Sequence, residues 1–137
     1  MLGLDVGHKR IGMAVSDLLG ITAQGIDTLQ RRNKRTDFQQ LAKVIRNYQV
    51  SEIVVGLPLR LSGANSAQTV KVEEFADELR ARFSLPVHMW DERLTSVQAN
   101  RLMREADVSL EKRAASVDRM AAILILQSFM DARSRTT

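Results

Sequence analysis

The first thirty residues alternate between apolar and small or polar positions, which is the period of a β-strand. Leu2, Leu4 and Val6 form the first apolar series, and two further series follow over 11–16 and 21–29. Short turn-like segments separate the three series. Strands joined in this way predict an antiparallel meander.

Beyond the meander the apolar residues recur at helical spacing instead. Thr36 and Gln39 have the form of a capping box, so we predict that the first helix begins there. A short apolar run over 53–56 predicts a strand covered on both faces, and a helical stripe over 72–83 follows it. Strands connected through helices are expected to run parallel to each other.

The last third of the chain continues the alternation of strand and helix. An apolar run over 87–90 predicts a strand, and a second capping box at Thr95 predicts a helix after it. A charged loop over 107–116 then precedes a final helix over 117–132. The predicted order is βββαβαβαα, and we expect one domain over residues 1–137, with a mixed sheet covered by helices on both faces.

The composition of the chain excludes several classes of functional site. The chain has no cysteine and two histidines, which excludes disulfides, thiolate metal sites and a typical zinc enzyme. No apolar run approaches the roughly 18 residues of a membrane span. Because Met1 adjoins a strand-like segment, we expect no signal peptide and a cytoplasmic protein without a membrane partner.

The charge of the chain indicates the partner. The net charge is +4 and the sequence pI is about 10.0, which makes nucleic acid the leading class of partner. The basic residues fall into two groups, namely Arg31, Arg32, Lys34 and Arg35, and then Arg93, Arg101, Arg104, Lys112 and Arg113. Each group taken singly is equally well explained as a solvated surface.

Two acidic positions stand at predicted strand ends. Asp5 interrupts an apolar strand, where Asp is disfavoured, so it either serves a reaction or caps the following turn. Asp91 and Glu92 end the last strand, and strand alternation allows only one of them to face a given site. The pattern does not choose between the two, and either could instead serve the next helix.

A third acid lies on the final predicted helix. Asp118 falls in its first turn, where the helix dipole favours an acid. It also heads an apolar stripe through Ala122, Ile125 and Phe129, so we expect its side chain to face the protein at the edge of the sheet. Converging carboxylates need bridging cations, and oxygen ligands select Mg²⁺ or Mn²⁺. Two such ions about 4 Å apart would support phosphodiester displacement.

The motifs of the chain, taken together, resemble a known family. They are GLDVG at 3–7, RIGMA at 10–14, VVGLPL at 54–59, DERLTS at 91–96, and VDR at 117–119 running into AAILILQ at 121–127. This set, in this order, resembles the YqgF, or RuvX-type, family of nucleases with a ribonuclease H-like fold. The resemblance extends over nearly the whole chain.

The resemblance implies a fold and a site. The fold is an α/β, five-stranded mixed sheet in the order 3-2-1-4-5, with strand 2 antiparallel. Metal-dependent nuclease chemistry would use Asp5, Glu92 and Asp118 as catalytic residues and as ligands of Mg²⁺ or Mn²⁺. We assign nucleic-acid contacts to basic residues near these acids, namely Lys9, Arg10, Arg93 and Arg119. Supporting roles are assigned to His8, Asp91 and Thr95.

The family has been described in two ways, as a nuclease that matures the 5′ end of pre-16S ribosomal RNA and as a Holliday junction resolvase. We favour RNA because symmetric junction cleavage calls for two active sites and the chain shows no obvious dimer surface. Structured RNA or branched DNA, and ribosomal precursor particles, are the expected partners of a monomer or weak homodimer. A non-catalytic nucleic-acid binder, with the acids as caps, is a further alternative. An actin-like or sugar-kinase phosphotransferase would need a second domain.

Overall fold

The first three strands form an antiparallel meander, as the alternating pattern predicts. The computed structural model describes residues 1–58, 66–92 and 110–136, with side chains over 117–135 in the last range. Within these ranges the strands are β1 (Leu2–Val6), β2 (Arg10–Ser16), β3 (Ala23–Gln30), β4 (Ile53–Leu57) and β5 (Val87–Asp91). The helices are α1 (Lys34–Asn47), α2 (Ala67–Phe83) and α3 (Leu110–Thr136).

The five strands form one mixed sheet in the order β3-β2-β1-β4-β5, which confirms the predicted order. β1 pairs antiparallel with β2 and parallel with β4, and β4 pairs parallel with β5. β3 is antiparallel to β2, so it runs in the same direction as β1. The carboxyl ends of β1, β3, β4 and β5 therefore all lie at one edge, which we call the carboxyl edge.

Helices cover both faces of the sheet, as predicted. One face packs Leu4, Val55 and neighbouring strand residues against Phe38 of α1 and Leu79 of α2. The other face packs a smaller apolar set against α3. In that cluster the strands supply Ala14 and Val54, and α3 supplies Ala122, Ile125, Leu126 and Met130. Because side chains alternate along a strand, neighbouring residues of β1 belong to different layers of the protein.

The first helix begins earlier than the predicted capping box. Asn33 is the N-cap of α1, and its side-chain oxygen accepts a hydrogen bond from the backbone N–H of Thr36 at 2.9 Å. The prediction of a start at Thr36 was wrong because Asn33 supplies the capping oxygen three residues upstream. A capping box does form at the start of α2, between Ser66 and Thr69.

The final helix also begins earlier than predicted. α3 starts at Leu110, so the predicted loop over 107–116 was wrong from residue 110 onward. The segment 110–116 reads LEKRAAS, which consists largely of strong helix formers and contains neither Gly nor Pro. The predicted helix after Thr95 lies outside the described residues. Among the described residues, none of the helices contains an apolar stretch of the length that a membrane span requires.

Candidate active site at the carboxyl edge of the sheet

Asp5 lies near the end of β1 on the face that α3 covers. Its chain neighbours Leu4 and Val6 point into the core under α1 and α2, so alternation turns Asp5 to the opposite face. Gly12 of β2 is its register partner. On its other side β1 pairs with β4, and Leu4 is the register partner of Val55. The next residues of the two strands are Asp5 and Gly56, which therefore lie side by side. Asp5 is thus flanked by two residues without side chains.

Glu92 reaches the space above one of these glycines. Trp90 packs on the α3 face, so alternation along β5 turns Asp91 away from that face, and Glu92 directly follows the strand. A Cβ atom added at Gly56 would lie 2.7 Å from the Cγ atom of Glu92. The carboxyl group of Asp5 lies close enough to that of Glu92 for protonated Asp5 to donate a hydrogen bond to it. The structure therefore brings Glu92, not Asp91, to Asp5.

Asp118 reaches the space above the other glycine. A Cβ atom added at Gly12 would fall well inside van der Waals distance of the backbone carbonyl of Asp118. Gly12 therefore lets α3 rest directly on the sheet beside Asp5. Asp118 is the ninth residue of α3 and lies in its third turn, so the prediction that it stands in the first turn was wrong. Packing against the sheet, not the helix dipole, accounts for its position.

Arg10 holds the carboxylate of Asp118. Its Nε atom donates a hydrogen bond to Oδ2 of Asp118 at 2.9 Å, and the two side chains are 30% and 23% exposed. Arg10 is the first residue of β2 and so stands at the carboxyl edge. Its guanidinium therefore forms an ion pair with one of the three candidate catalytic acids.

The crowding of carboxylates changes the acidity of Asp5. Burial raises the pKa of Asp5 well above its ordinary value, and a hydrogen bond that protonated Asp5 donates to the carboxylate of Glu92 raises that pKa further. The negative charges of Glu92 and Asp118 act in the same direction. A proton or a cation at this point therefore relieves an unfavourable concentration of negative charge.

The donor chemistry of the three acids fits a hard divalent cation, because carboxylate oxygens are the ligands that Mg²⁺ and Mn²⁺ prefer. The arrangement of these side chains is different from a finished metal site. Within residues 1–58, 66–92 and 117–135, no three His, Asp or Glu side chains are gathered as ligands of one ion. Asp5 contacts Glu92, whereas Asp118 is directed to Arg10. Sharing of a metal by the three acids stays a prediction.

The other residues predicted to support the site or to contact nucleic acid are exposed or lie outside the described residues. His8 and Lys9 are exposed in the turn between β1 and β2. Arg119 is exposed on α3, with its Nη2 atom 3.8 Å from Oδ1 of Asp27. Arg93 and Thr95 lie outside the described residues. The contacts with nucleic acid that were assigned to these basic residues stay predictions.

Two residues important to the site were not among the candidates predicted from the sequence. Gly12 and Gly56 flank Asp5 and make room for Asp118 and Glu92 respectively. The available signal was glycine inside an apolar strand, which marks a close approach of another backbone or side chain. Gly3, two residues before Asp5 on the same face of β1, also makes room for α3, since a Cβ atom there would lie 2.7 Å from Cβ of Leu126.

A mixed sheet in the order 3-2-1-4-5, with acids gathered at its carboxyl edge beneath a C-terminal helix, defines a ribonuclease H-like protein. Solved structures show the same fold. T. thermophilus RuvC, in complex with a Holliday junction substrate, matches with a TM-score of 0.57 and 18% identity over 99% of this chain and 98% of its own. Fowlpox virus resolvase, in complex with substrate Holliday junction DNA, matches with a TM-score of 0.59 and 12% identity over 96% and 97%.

The chain belongs to the RuvX family, whose model matches residues 1–132 and is described as Holliday junction resolvase. Its relatives bear a different name, "Putative pre-16S rRNA nuclease". The protein of that name from Koribacter versatilis (strain Ellin345) is 60% identical over 97% of this chain and 87% of its own length. That from Thermoanaerobacter pseudethanolicus is 45% identical over 97% and 96%, and that from Clostridium acetobutylicum 47% identical over 96% and 97%.

Proposed function

We propose that this chain is a metal-dependent nuclease that hydrolyses phosphodiester bonds in structured nucleic acid, and that its substrate is the 5′ end of pre-16S ribosomal RNA. The observation that carries the proposal is the meeting of Asp5 and Glu92 beneath α3, with Asp118 close enough to act on the pKa of Asp5. Half-buried, mutually repelling carboxylates cost stability, so a fold that keeps them at one edge has a chemical use for them.

Asp5, Glu92 and Asp118 would hold Mg²⁺ or Mn²⁺. A bound divalent ion activates water and stabilises the charge that develops on the phosphate during displacement. The three acids are held by separate parts of the fold: Asp5 lies on β1, Glu92 directly follows β5, and Asp118 lies on α3.

The basic residues near the acids would orient the carboxylates and neutralise the charge of the phosphate. Arg10 fixes the rotamer of Asp118 through its hydrogen bond and adds a positive charge at the carboxyl edge. Lys9 next to it is exposed and available to a phosphate. The packing of α3 over Gly12 excludes water from one side of Asp5, which strengthens the electrostatic interactions within the site.

The choice of RNA as substrate rests on the names of relatives that are 45–60% identical over nearly the full chain. Holliday junction cleavage is the second candidate. It is favoured by the description of the family and by the two resolvases that share the fold. We further propose that the chain acts as a single cytoplasmic domain, as a monomer or weak homodimer, on ribosomal precursor particles.

The decisive experiment offers both substrates to one preparation of the protein. Purified protein is incubated with end-labelled RNA that spans the 5′ end of 16S ribosomal RNA, and separately with a four-way DNA junction. Each is tested with Mg²⁺, with Mn²⁺ and with chelator. Cleavage of the RNA alone, lost with chelator, supports the proposal, and symmetric cleavage of the junction alone supports the second candidate.

Asp5→Asn is the control that separates catalysis from binding. It retains the size of the side chain and one acceptor oxygen but loses the charge that would hold a divalent ion. If wild-type protein binds both substrates yet cleaves neither under any metal condition, the nuclease proposal fails and the chain is a non-catalytic binder. If Asp5→Asn cleaves as fast as wild type, the acids are not the catalytic residues.

A further inference from the structure

The first basic group of the sequence lies at the same edge of the sheet as the acids, on the opposite face. It falls where β3 leads into α1, and β3 ends at the carboxyl edge. A cavity of about 500 Å³ opens there between α1 and α2, with Arg31, Arg32 and Lys34 in its lining. The proposed nuclease site involves neither this cavity nor these residues.

The acids of the cavity lining are largely neutralised. The carboxylate of Asp37 lies 3.7 Å from Nε of Arg31, and that of Glu78 forms an ion pair with Lys34. Glu74 is the remaining acid of the lining. Most of the negative charge within the cavity is therefore already matched by a positive partner.

Two cations of the lining remain available to a ligand. Arg32 and Lys71 have exposed side chains, and neither forms an ion pair with any residue in the described ranges. They come from the two sides of the cavity, since Arg32 precedes α1 and Lys71 lies in the first two turns of α2. His8, from the turn after β1, is also exposed in the lining. Two or three converging cationic or hydrogen-bonding side chains of this kind suit a phosphate group.

The cavity and the acids share one strand. Val6 lines the cavity, and Asp5, the residue before it, faces α3 and the other acids. A nucleic-acid strand that crosses the carboxyl edge with one phosphate at Asp5 would bring a neighbouring part of its backbone to the mouth of the cavity. From this juxtaposition we propose that the cavity binds a phosphate of the substrate strand that flanks the cleaved bond, held by Arg32 and Lys71. The inference rests on the proposed function, because it takes the acids as the site of cleavage.

The first test measures binding alone. Single-stranded RNA, labelled at one end, is titrated with protein in chelator, on an Asp5→Asn background so that no cleavage occurs. Arg32→Ala/Lys71→Ala is compared with Lys43→Ala/Arg46→Ala. The control pair removes two exposed charges from α1 outside the cavity lining, so both variants change the net charge equally.

We expect the cavity variant to bind several-fold more weakly than the control. Its slope of log affinity against log salt should become shallower by about 0.7 for each phosphate of a single strand that the protein no longer neutralises. Circular dichroism melting of all variants shows that the fold is kept. Equal affinities and equal slopes for the two variants would overturn the inference, because the weakening would then reflect overall charge.

The second test locates the phosphate. The RNA is prepared as a series in which one linkage after another is replaced by an uncharged methylphosphonate. Wild-type cavity residues should make binding sensitive to a linkage beside the cleavage position, and the cavity variant should lose that sensitivity, because residue and phosphate act as a coupled pair. Sensitivity that persists in the variant would refute the contact.

The two proposals can fail separately. Cleavage by wild type in metal, together with cavity variants that bind normally, would remove the cavity and leave the nuclease. Absence of cleavage, together with a linkage that depends on Arg32 and Lys71, would remove the nuclease and leave the cavity as a phosphate site on a nucleic-acid-binding protein.

Discussion

The seating of α3 on Gly12 can be tested with a single methyl group. In Gly12→Ala the new Cβ atom would lie within 3.0 Å of the carbonyl carbon and oxygen of Asp118, a separation that real Cβ atoms essentially never show. Both obstacles are backbone atoms, so no side-chain rotation relieves the clash. The helix must move away from the sheet by about 1 Å, or the strand must bend.

The cost follows from the geometry. Overpacking of a well-packed site costs about 1–3 kcal/mol of unfolding free energy, and for a chain of this length each kcal/mol lowers Tm by about 3–4 °C. Because Asp118 moves with the helix, the site loses alignment as well. A displacement of about 1 Å can lower a catalysed rate about a hundredfold.

Gly25→Ala is the matched control. It adds the same methyl group on the same face under the same helix, but the atoms it meets belong to the side chains of Arg119, at 2.5 and 2.7 Å, and of Ile123, at 3.0 Å. Rotation of the exposed Arg119 side chain can relieve these contacts without a movement of the helix backbone, so we expect a smaller loss of unfolding free energy than in Gly12→Ala. The measurements are thermal melts of both variants and their RNA cleavage rates in Mn²⁺ at saturating RNA, where a loss of affinity at Arg119 does not change the rate. If Gly12→Ala matches Gly25→Ala in both, α3 is not seated on Gly12 and the position inferred for Asp118 is wrong.

Three further outcomes are expected. Asp5→Asn should lower the cleavage rate at least about a thousandfold, because the lost charge stabilisation is several kcal/mol and each 1.36 kcal/mol is a tenfold change in rate. Its Tm without metal should hold or rise, because the repulsion between Asp5 and the neighbouring carboxylates is relieved. A destabilised but active variant would contradict this prediction. Arg10→Glu should weaken RNA binding and reduce the slope of log affinity against log salt. It should also lower Tm, because it sets a like charge against Asp118. An affinity and a salt slope at the wild-type values would contradict the assigned phosphate contact of Arg10. Hydrogen bonds from Arg133 lower the pKa of Glu52, so this pair stabilises the fold above pH 4.5, and its contribution is lost as the pH falls through the lowered pKa. Arg133→Met should therefore flatten the dependence of Tm on pH in that acid range. An unchanged curve of Tm against pH would contradict the assignment.

Local pattern determined much of this protein. The alternation of Leu2, Leu4 and Val6 against Gly3 and Asp5 specifies a strand with two different faces, and an acid on such a strand is a candidate site residue on pattern alone. The strand periods and helical stripes likewise predicted both covered faces. Such inferences succeed because they depend on the geometry of a few consecutive residues, and the sheet order followed from the family motifs.

Local pattern failed where two nearby solutions competed. Thr36 and Gln39 fit a capping box, but the side chain of Asn33 accepts the hydrogen bond from the backbone N–H of Thr36, and α1 begins at Lys34. The charges at 107–116 suggested a loop, yet helix propensity carries α3 back to Leu110. A boundary is decided by small differences in free energy that a motif alone does not measure.

Only the tertiary structure decided which groups meet. The family motifs implied Glu92, but the strand pattern left Asp91 and Glu92 open, and the physical reason for Glu92 is the position of β5 beside β4. The position of Asp118 depends on the absence of a side chain at Gly12. The pairing of Arg10 with Asp118 joins residues 108 positions apart. Contacts of this kind arise from strand pairing and helix packing across the whole chain, so no window of sequence contains them, and they are what turns a set of scattered acids into a candidate site.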